Sequence, residues 1–188
     1  DITYLHGKEK NIRGVLITHG HYDHIGAIPH IMERIGNPPI YMTELTRGIV
    51  MKRQDDYKDK APLNLHTVKK TDRLRLGSFN IEFFHVNHTI PDAVGLAIHT
   101  PVGTVIHTGD FKFDHSPVSD APADVARIAR LGAENVLALM SDSTDSQTPG
   151  YSLSESRIAK TLDEIFERTE GRIIIATFAA LISRIQSV

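Results

Sequence analysis

Between residues 15 and 26 the chain reads Val15-Leu-Ile-Thr-His-Gly-His-Tyr-Asp-His-Ile-Gly26, so His19, His21, Asp23 and His24 follow directly on a short aliphatic and β-branched run. Imidazole nitrogens and carboxylate oxygens are ligands for borderline and hard cations. If the run is a buried strand, a turn leaving its end can aim alternate side chains, His19 and His21, at one point. Asp23 and His24 then turn toward a second point a few ångströms away. One loop can thus serve two metals. The chain has no cysteine, which excludes thiolate ligation and disulfides, and the donor set suits Zn²⁺ first, with Mn²⁺ or Fe as alternatives.

The pattern around this loop predicts what holds it. Residues 12–18 read as a buried strand and residues 25–35 as one helix, with Ile25, Ile28, Ile31, Met32 and Ile35 on its apolar face and Pro29 in its first turns. Gly36-Asn-Pro-Pro39 ends that helix. A strand at 40–42 and a helix at 43–53 follow, an alternation that signals an α/β fold. Residues 54–65 are polar and read as a solvated connection. Strands are predicted at 65–70, 73–76, 79–86, 93–100 and 104–108, forming an antiparallel or mixed sheet. Beyond them come a helix at 121–131, a strand at 136–141, a helix at 152–167, a strand at 172–178 and the start of another helix. Ser152 and Glu155 have capping-box spacing at the head of the long helix.

A two-metal centre needs more than one loop. His85 and His88 come at the end of the 79–86 strand, the strand at 104–108 runs through His107 to Asp110, and the strand at 136–141 runs into Asp142. Strand ends hold side chains on a rigid support. Asp142 is placed either to assist proton transfer near the metals or to cap a turn. His85, His107, Asp92 and Asp114 are candidates to orient a ligand; His6, His30, His66, His99 and His115 read as surface or hydrogen-bonded residues.

Five segments, taken in order, resemble one family. They are His19-Gly-His-Tyr-Asp-His-Ile-Gly-Ala-Ile-Pro29, Val86-Asn-His-Thr-Ile-Pro-Asp-Ala93, His107-Thr-Gly-Asp-Phe-Lys-Phe-Asp114, Met140-Ser-Asp-Ser-Thr-Asp-Ser-Gln-Thr-Pro-Gly-Tyr151, and Gly171-Arg-Ile-Ile-Ile-Ala-Thr-Phe-Ala179 with Arg184-Ile-Gln186. The first is similar to the signature of the metallo-β-lactamase superfamily, and the set resembles the ribonuclease J family of its β-CASP branch. The resemblance implies an αβ/βα sandwich. Residues 1–140 would form a metallo-β-lactamase domain lacking its N-terminal strands, and residues 141–188 the truncated beginning of a β-CASP domain.

It further implies two divalent ions, one held by His19, His21 and His88, the other by Asp23 and His24, with Asp110 shared. Catalytic roles fall to Asp23, Asp110 and Asp142, the last mapping to the acidic first β-CASP motif. The implied reaction is hydrolysis of phosphodiester bonds in single-stranded RNA, by 5′-to-3′ exonuclease action, endonuclease action or both, in RNA processing and decay. The alternatives are another hydrolase of the fold acting on a small ester, thioester or lactam, and an inactive RNA-binding partner. A homodimer or larger assembly is implied for the full-length form. Ala180-Leu181 departs from the family's small polar pair, and the family's last metal-binding histidine lies downstream of these 188 residues.

Composition sets the remaining bounds. At 188 residues and 40% hydrophobic content the chain can bury one sizeable core. A net charge of −2 excludes bulk basicity as the means of holding nucleic acid, leaving metals or a local patch. No stretch approaches the roughly 18 apolar residues of a membrane span, and the start is not a signal peptide, so a soluble cytoplasmic protein is expected. The lack of an initiator Met and the abrupt end at Ile185-Gln-Ser-Val188 predict a piece of a longer protein.

Overall fold

The aliphatic runs become two sheets in the computed structural model, which describes residues 1–118 and 120–187. The first sheet is parallel, in the order β1 (Val15–Leu16), β2 (Ile40–Met42), β3 (Leu65–Thr67). The second has the order β4 (Arg73–Leu76), β5 (Phe79–His85), β6 (Val94–Thr100), β7 (Gly103–His107), β8 (Val136–Met140). Its neighbours are antiparallel except β7 and β8, which run parallel. The helices are α1 (Tyr22–Ile25), α2 (Ile28–Ile31), α3 (Glu44–Gln54), α4 (Val125–Gly132), α5 (Glu155–Arg168) and α6 (Ile182–Ser187).

Three apolar clusters stack these elements into layers. Ile25, Ile28, Met32, Ile35 and Val50 pack with Ile17, Ile40 and Met42 between the first helices and the first sheet. Ile81, Phe83, Val94 and Leu96 meet Leu16 and Tyr41 between the two sheets. Phe84, Ala97 and Ile106 pack with Ile128 and Leu131 of α4 on the far side. The order helix, sheet, sheet, helix is the expected αβ/βα sandwich.

Alternation along β5 shows why the register holds. Ile81 and Phe83 face the other sheet, while Glu82 and Phe84 face α4. Glu82 is buried there between Arg127 (2.8 Å) and Arg73 (2.7 Å). Burial works against its charge, but the two guanidiniums outweigh it and hold the carboxyl below its ordinary range. Opposite Phe84 sits Gly95; a Cβ there would come within 2.2 Å of the Phe84 ring, so only glycine lets the ring lie against the neighbouring strand.

The structure departs from expectation in several places, each for a local reason. The helix expected at 25–35 is three pieces, α1, α2 and a 3₁₀ turn at Glu33–Ile35. Pro29 has no N–H to offer Ile25, which interrupts the ladder while leaving the apolar face buried. The strand expected at 65–70 shortens to β3 and joins the first sheet rather than the second. The helix expected at 121–131 starts at Val125, because the Ala121 carbonyl is taken by His85 and Asn87 and Asp124 is the cap, accepting from the Arg127 N–H at 2.9 Å. Ser154, not Ser152, caps α5, accepting from the Ser156 N–H at 3.3 Å; Glu155 is bound to Lys112 at 2.6 Å instead of closing a capping box. Residues 172–178 are in no strand of either sheet, and Ile174 is 87% exposed. No described helix is long and apolar enough to cross a membrane.

Candidate metal centre

Four strand ends meet at one edge of the sandwich. β5, β7 and β8 point the same way, since β5 and β7 both run antiparallel to β6 and β8 runs parallel to β7. β1 arrives from the other sheet, and the Val94 N–H donates to the Thr18 carbonyl at 3.0 Å just beyond its end. The β7 exit must turn sharply to present Asp110. Gly109 makes that turn at φ +61°, where a Cβ would press on Thr18 and on the Val94 carbonyl at 3.0 Å, so another side chain there would be strained and crowded. The Gly109 N–H donates to His107 Nδ1 (3.0 Å), and the Asp142 N–H donates to the Thr108 hydroxyl (3.0 Å), fastening the loop to the strands on either side.

The predicted ligands fall into two groups that share one residue. His19, His21, His88 and Asp110 bring one donor atom each to within 4.8 Å of the others, and Asp23, His24 and Asp110 do the same. In the first group His21 Nδ1 lies 3.2 Å from His19 Nε2 and 3.0 Å from His88 Nε2. Asp110 Oδ2 is 3.8 Å from His19 Nε2 and 3.7 Å from His88 Nε2. In the second, Asp110 Oδ1 is 3.3 Å from His24 Nε2, which is 3.4 Å from Asp23 Oδ2. The two oxygens of Asp110 therefore face different groups. Ligands about 2.0–2.1 Å from a tetrahedral Zn²⁺ stand roughly 3.3 Å from one another, and the observed spacings cluster around that value. The donor set fits a metal.

Electrostatics favours the same use. His19 is fully buried, and burial first, then His24, His88 and His21, pushes its pKa down from 6.5 to about 2. Burial likewise pushes His88 down to about 4, with His21 adding to the shift. Burial also lowers His21, against the pull of Asp23 and Asp110. Near neutral pH these rings are uncharged and keep a lone pair for a cation.

Asp142 is fixed by its own turn. Burial disfavours its charge, but the Thr144 N–H (2.8 Å), the Thr144 hydroxyl and the Phe111 N–H (3.5 Å) outweigh it and lower its pKa. Its charge is felt at both His19 and His88. The turn-forming and site-facing readings of Asp142 thus coexist. Of the residues considered for orienting a ligand, His107 acts on the Asp110 loop through Gly109. His85 turns away, to Ala121 (2.8 Å). Asp114 is buried and receives the Glu155 N–H and the Ser154 hydroxyl at the head of α5. Asp92 pairs with Lys70 at 3.6 Å.

Two contacts escaped the sequence. Thr18 is buried with its hydroxyl 3.0 Å from His19 Nδ1. When Nε2 keeps its lone pair, Nδ1–H donates to that oxygen and the tautomer is set. Adjacency to His19 was the only available signal. The backbone of Ala180 hydrogen-bonds the His21 ring, a contact that the Ala180-Leu181 departure leaves intact because no side chain is involved. Nothing in the sequence pointed to it.

Comparison with known proteins identifies the family. The profile described as the Metallo-beta-lactamase superfamily matches residues 2–165. Ribonuclease J of Synechocystis sp. is 39% identical over 186 residues, 98% of this chain and 29% of the relative. Ribonuclease J of Thermus thermophilus is 39% identical over 193 residues, covering 100% and 34%, and that of Helicobacter pylori strain 26695 is 41% identical over 186 residues, covering 98% and 27%. The chain spans about a third of the length of these curated relatives. A crystal structure of a protein of unknown function from Enterococcus faecalis V583 superimposes with a TM-score of 0.68 at 19% identity, over 92% of this chain and 43% of that one, a likeness of fold.

Proposed function

The chain belongs to the metallo-beta-lactamase superfamily, and from that premise we propose that it is the metal-binding part of a ribonuclease J-like enzyme that hydrolyses phosphodiester bonds of single-stranded RNA. The observation that carries this reading is Asp110, whose two carboxylate oxygens face two donor groups at once. Two divalent ions, Zn²⁺ or Mn²⁺, are the proposed cofactors. Held there, they supply Lewis acidity and a water made acidic enough to attack phosphorus at neutral pH.

The residues provide the rest. His19, His21 and His88 enter the reaction neutral, and His19 and His21 are oriented by Thr18 and by the Ala180 backbone, so the site needs little rearrangement. Asp23 is 78% exposed and opens the second group to substrate. Asp142, held ionised, is suited to accept or orient a proton of the attacking water rather than to donate one to the leaving oxygen. The division into a metal-binding domain at 1–140 and the start of an RNA-clamping domain at 141–188 is part of the proposal, as are a homodimeric or larger assembly and a cytoplasmic location.

The test is metal content per chain by elemental analysis, run with cleavage of a 5′-monophosphorylated single-stranded RNA by the full natural protein. About two ions per chain with cleavage abolished by chelator supports the reading. Metal without RNA cleavage redirects it to ester, thioester or lactam substrates, and a metal-free active protein sinks it.

A further inference from the structure

Beside the metal loop lies a cleft of about 270 Å³ that the proposed hydrolysis does not use. Gly20 and Tyr22 of the loop form one wall, Ile90, two residues beyond His88, forms another, and Ala180, whose backbone holds the His21 ring, closes the far side. Its walls are otherwise largely aliphatic, with Arg53 as the one charged residue. The size is below the roughly 300 Å³ at which pockets for drug-sized ligands begin, enough for a single ring system.

Arg53 and Tyr22 are arranged as a pair. The Tyr22 ring is 64% exposed, the Arg53 guanidinium lies 4.2 Å from its centroid, and Arg53 Nη2 donates to the Tyr22 hydroxyl (2.6 Å), the Tyr57 hydroxyl (3.2 Å) and the Gly26 carbonyl (3.4 Å). Those contacts satisfy one nitrogen. Arg53 Nε is buried and has no hydrogen-bond partner among the described residues, so the guanidinium reaches the cleft through its plane and its Nη groups. An arginine plane and an exposed aromatic face are the elements with which proteins hold unstacked bases, sequence-tolerantly and beside a polyanionic backbone.

We propose that Tyr22 and Arg53 form a base-binding subsite, which takes one unpaired nucleobase of the strand whose phosphate is held by the neighbouring His and Asp groups. The proposal rests on the ribonuclease reading for its substrate. The base would stack on the exposed side of the Tyr22 ring, whose other side is backed by the Arg53 guanidinium. Tyr22 occupies the one position between His21 and Asp23, so a base bound there is tied in register to the reacting phosphorus. The subsite thereby selects a strand whose base at that position is unpaired.

The test uses the full natural protein loaded with Zn²⁺ or Mn²⁺ and two kinds of oligonucleotide. In the first, a single-stranded RNA carries one abasic ribose at successive positions around the cleaved bond. In the second, a phosphorothioate-protected strand carries 2-aminopurine at the same positions, and binding is read from its fluorescence. An abasic ribose at one position should lower kcat/KM roughly tenfold in the wild type, and 2-aminopurine at that position should be quenched on binding. Tyr22→Ala should abolish both effects at unchanged metal content, Tyr22→Phe should retain most of each, and Arg53→Met should weaken both. Equal abasic losses in wild type and Tyr22→Ala, or no position-specific quenching, would overturn the subsite while leaving the ribonuclease reading in place. Quenching that depends on Tyr22 in a protein that cleaves no RNA would uphold base binding and sink the ribonuclease reading.

Discussion

The two donor groups around Asp110 are built to different standards. His19, His21 and His88 come from two strand ends, His19 is fully buried and His88 is 17% exposed, and two of the three rings are held from behind by Thr18 or the Ala180 backbone. Asp23 and His24 come from a single short helix, and Asp23 is 78% exposed. The first group is a preformed socket in which desolvation keeps the imidazoles neutral; the second is an open ledge. The difference teaches where affinity and where access reside. A closed site holds its ion by rigidity, whereas an open one leaves coordination positions for substrate.

Removing the shared residue should erase the distinction. Asp110→Ala should take metal content toward zero and cut phosphodiesterase activity by more than about a thousandfold, checked by elemental analysis and single-turnover cleavage. Separating the groups sharpens the comparison: His88→Ala should lose the tightly held ion, while Asp23→Ala should retain it and lose the weaker one. Calorimetric titration of the chelator-stripped protein reads this directly as one weakly held ion in His88→Ala and one tightly held ion in Asp23→Ala, and equal affinity for the remaining ion in the two variants would break the comparison.

A smaller effect is expected from the residue behind the socket. Thr18→Val removes the acceptor for His19 Nδ1–H and should weaken only the tighter site, by about 10- to 100-fold. Retention of full affinity would show that burial alone orients the ring.

The smallest effect concerns the metal-free protein and acid. His88 titrates at 6.5 when unfolded and at about 4 when folded. Below 6.5 the unfolded chain binds a proton that the folded chain refuses. The stability associated with the neutral ring is therefore complete above about pH 6.5 and is lost as pH falls toward 4. His19 extends the same trend further into acid. Melting temperatures of the stripped protein should fall between pH 7 and pH 4.5, less steeply for His88→Gln.

Much of this centre was legible before any coordinates. His19, His21, Asp23 and His24 could be read because they follow a hydrophobic run, and a buried strand that stops at a polar residue can only deliver it to a surface or a cleft; the resemblance to the family was needed to choose His88 and Asp110 over His85 and His107 at the other strand ends. The α/β class was legible through the alternation of strand and helix patterns, and the sandwich through the resemblance to the family. Local pattern failed where a partner decides the state. Residues 172–178 have the composition of a strand, yet Ile174 is exposed and no ladder forms, since a strand exists only with a neighbour to bond. The helix at 25–35 broke ahead of Pro29, between Ile25 and Ile28, and again before Glu33, while its buried stripe survived, because burial follows the spacing of side chains more than the continuity of the backbone bonds.

The sequence by itself determined which atoms are available for coordination and which hydrophobic runs end beside them. These are properties of residue type and near-neighbour order, and a chain carries them before it folds. Only the tertiary structure decided that Asp110 divides its two oxygens between two groups, that Thr18 and Ala180 stand behind the rings, and that Arg53 reaches Tyr22 from 31 positions away. Those depend on through-space distances between elements far apart in sequence. Distances of that kind come from packing two sheets face to face, and no local pattern encodes them.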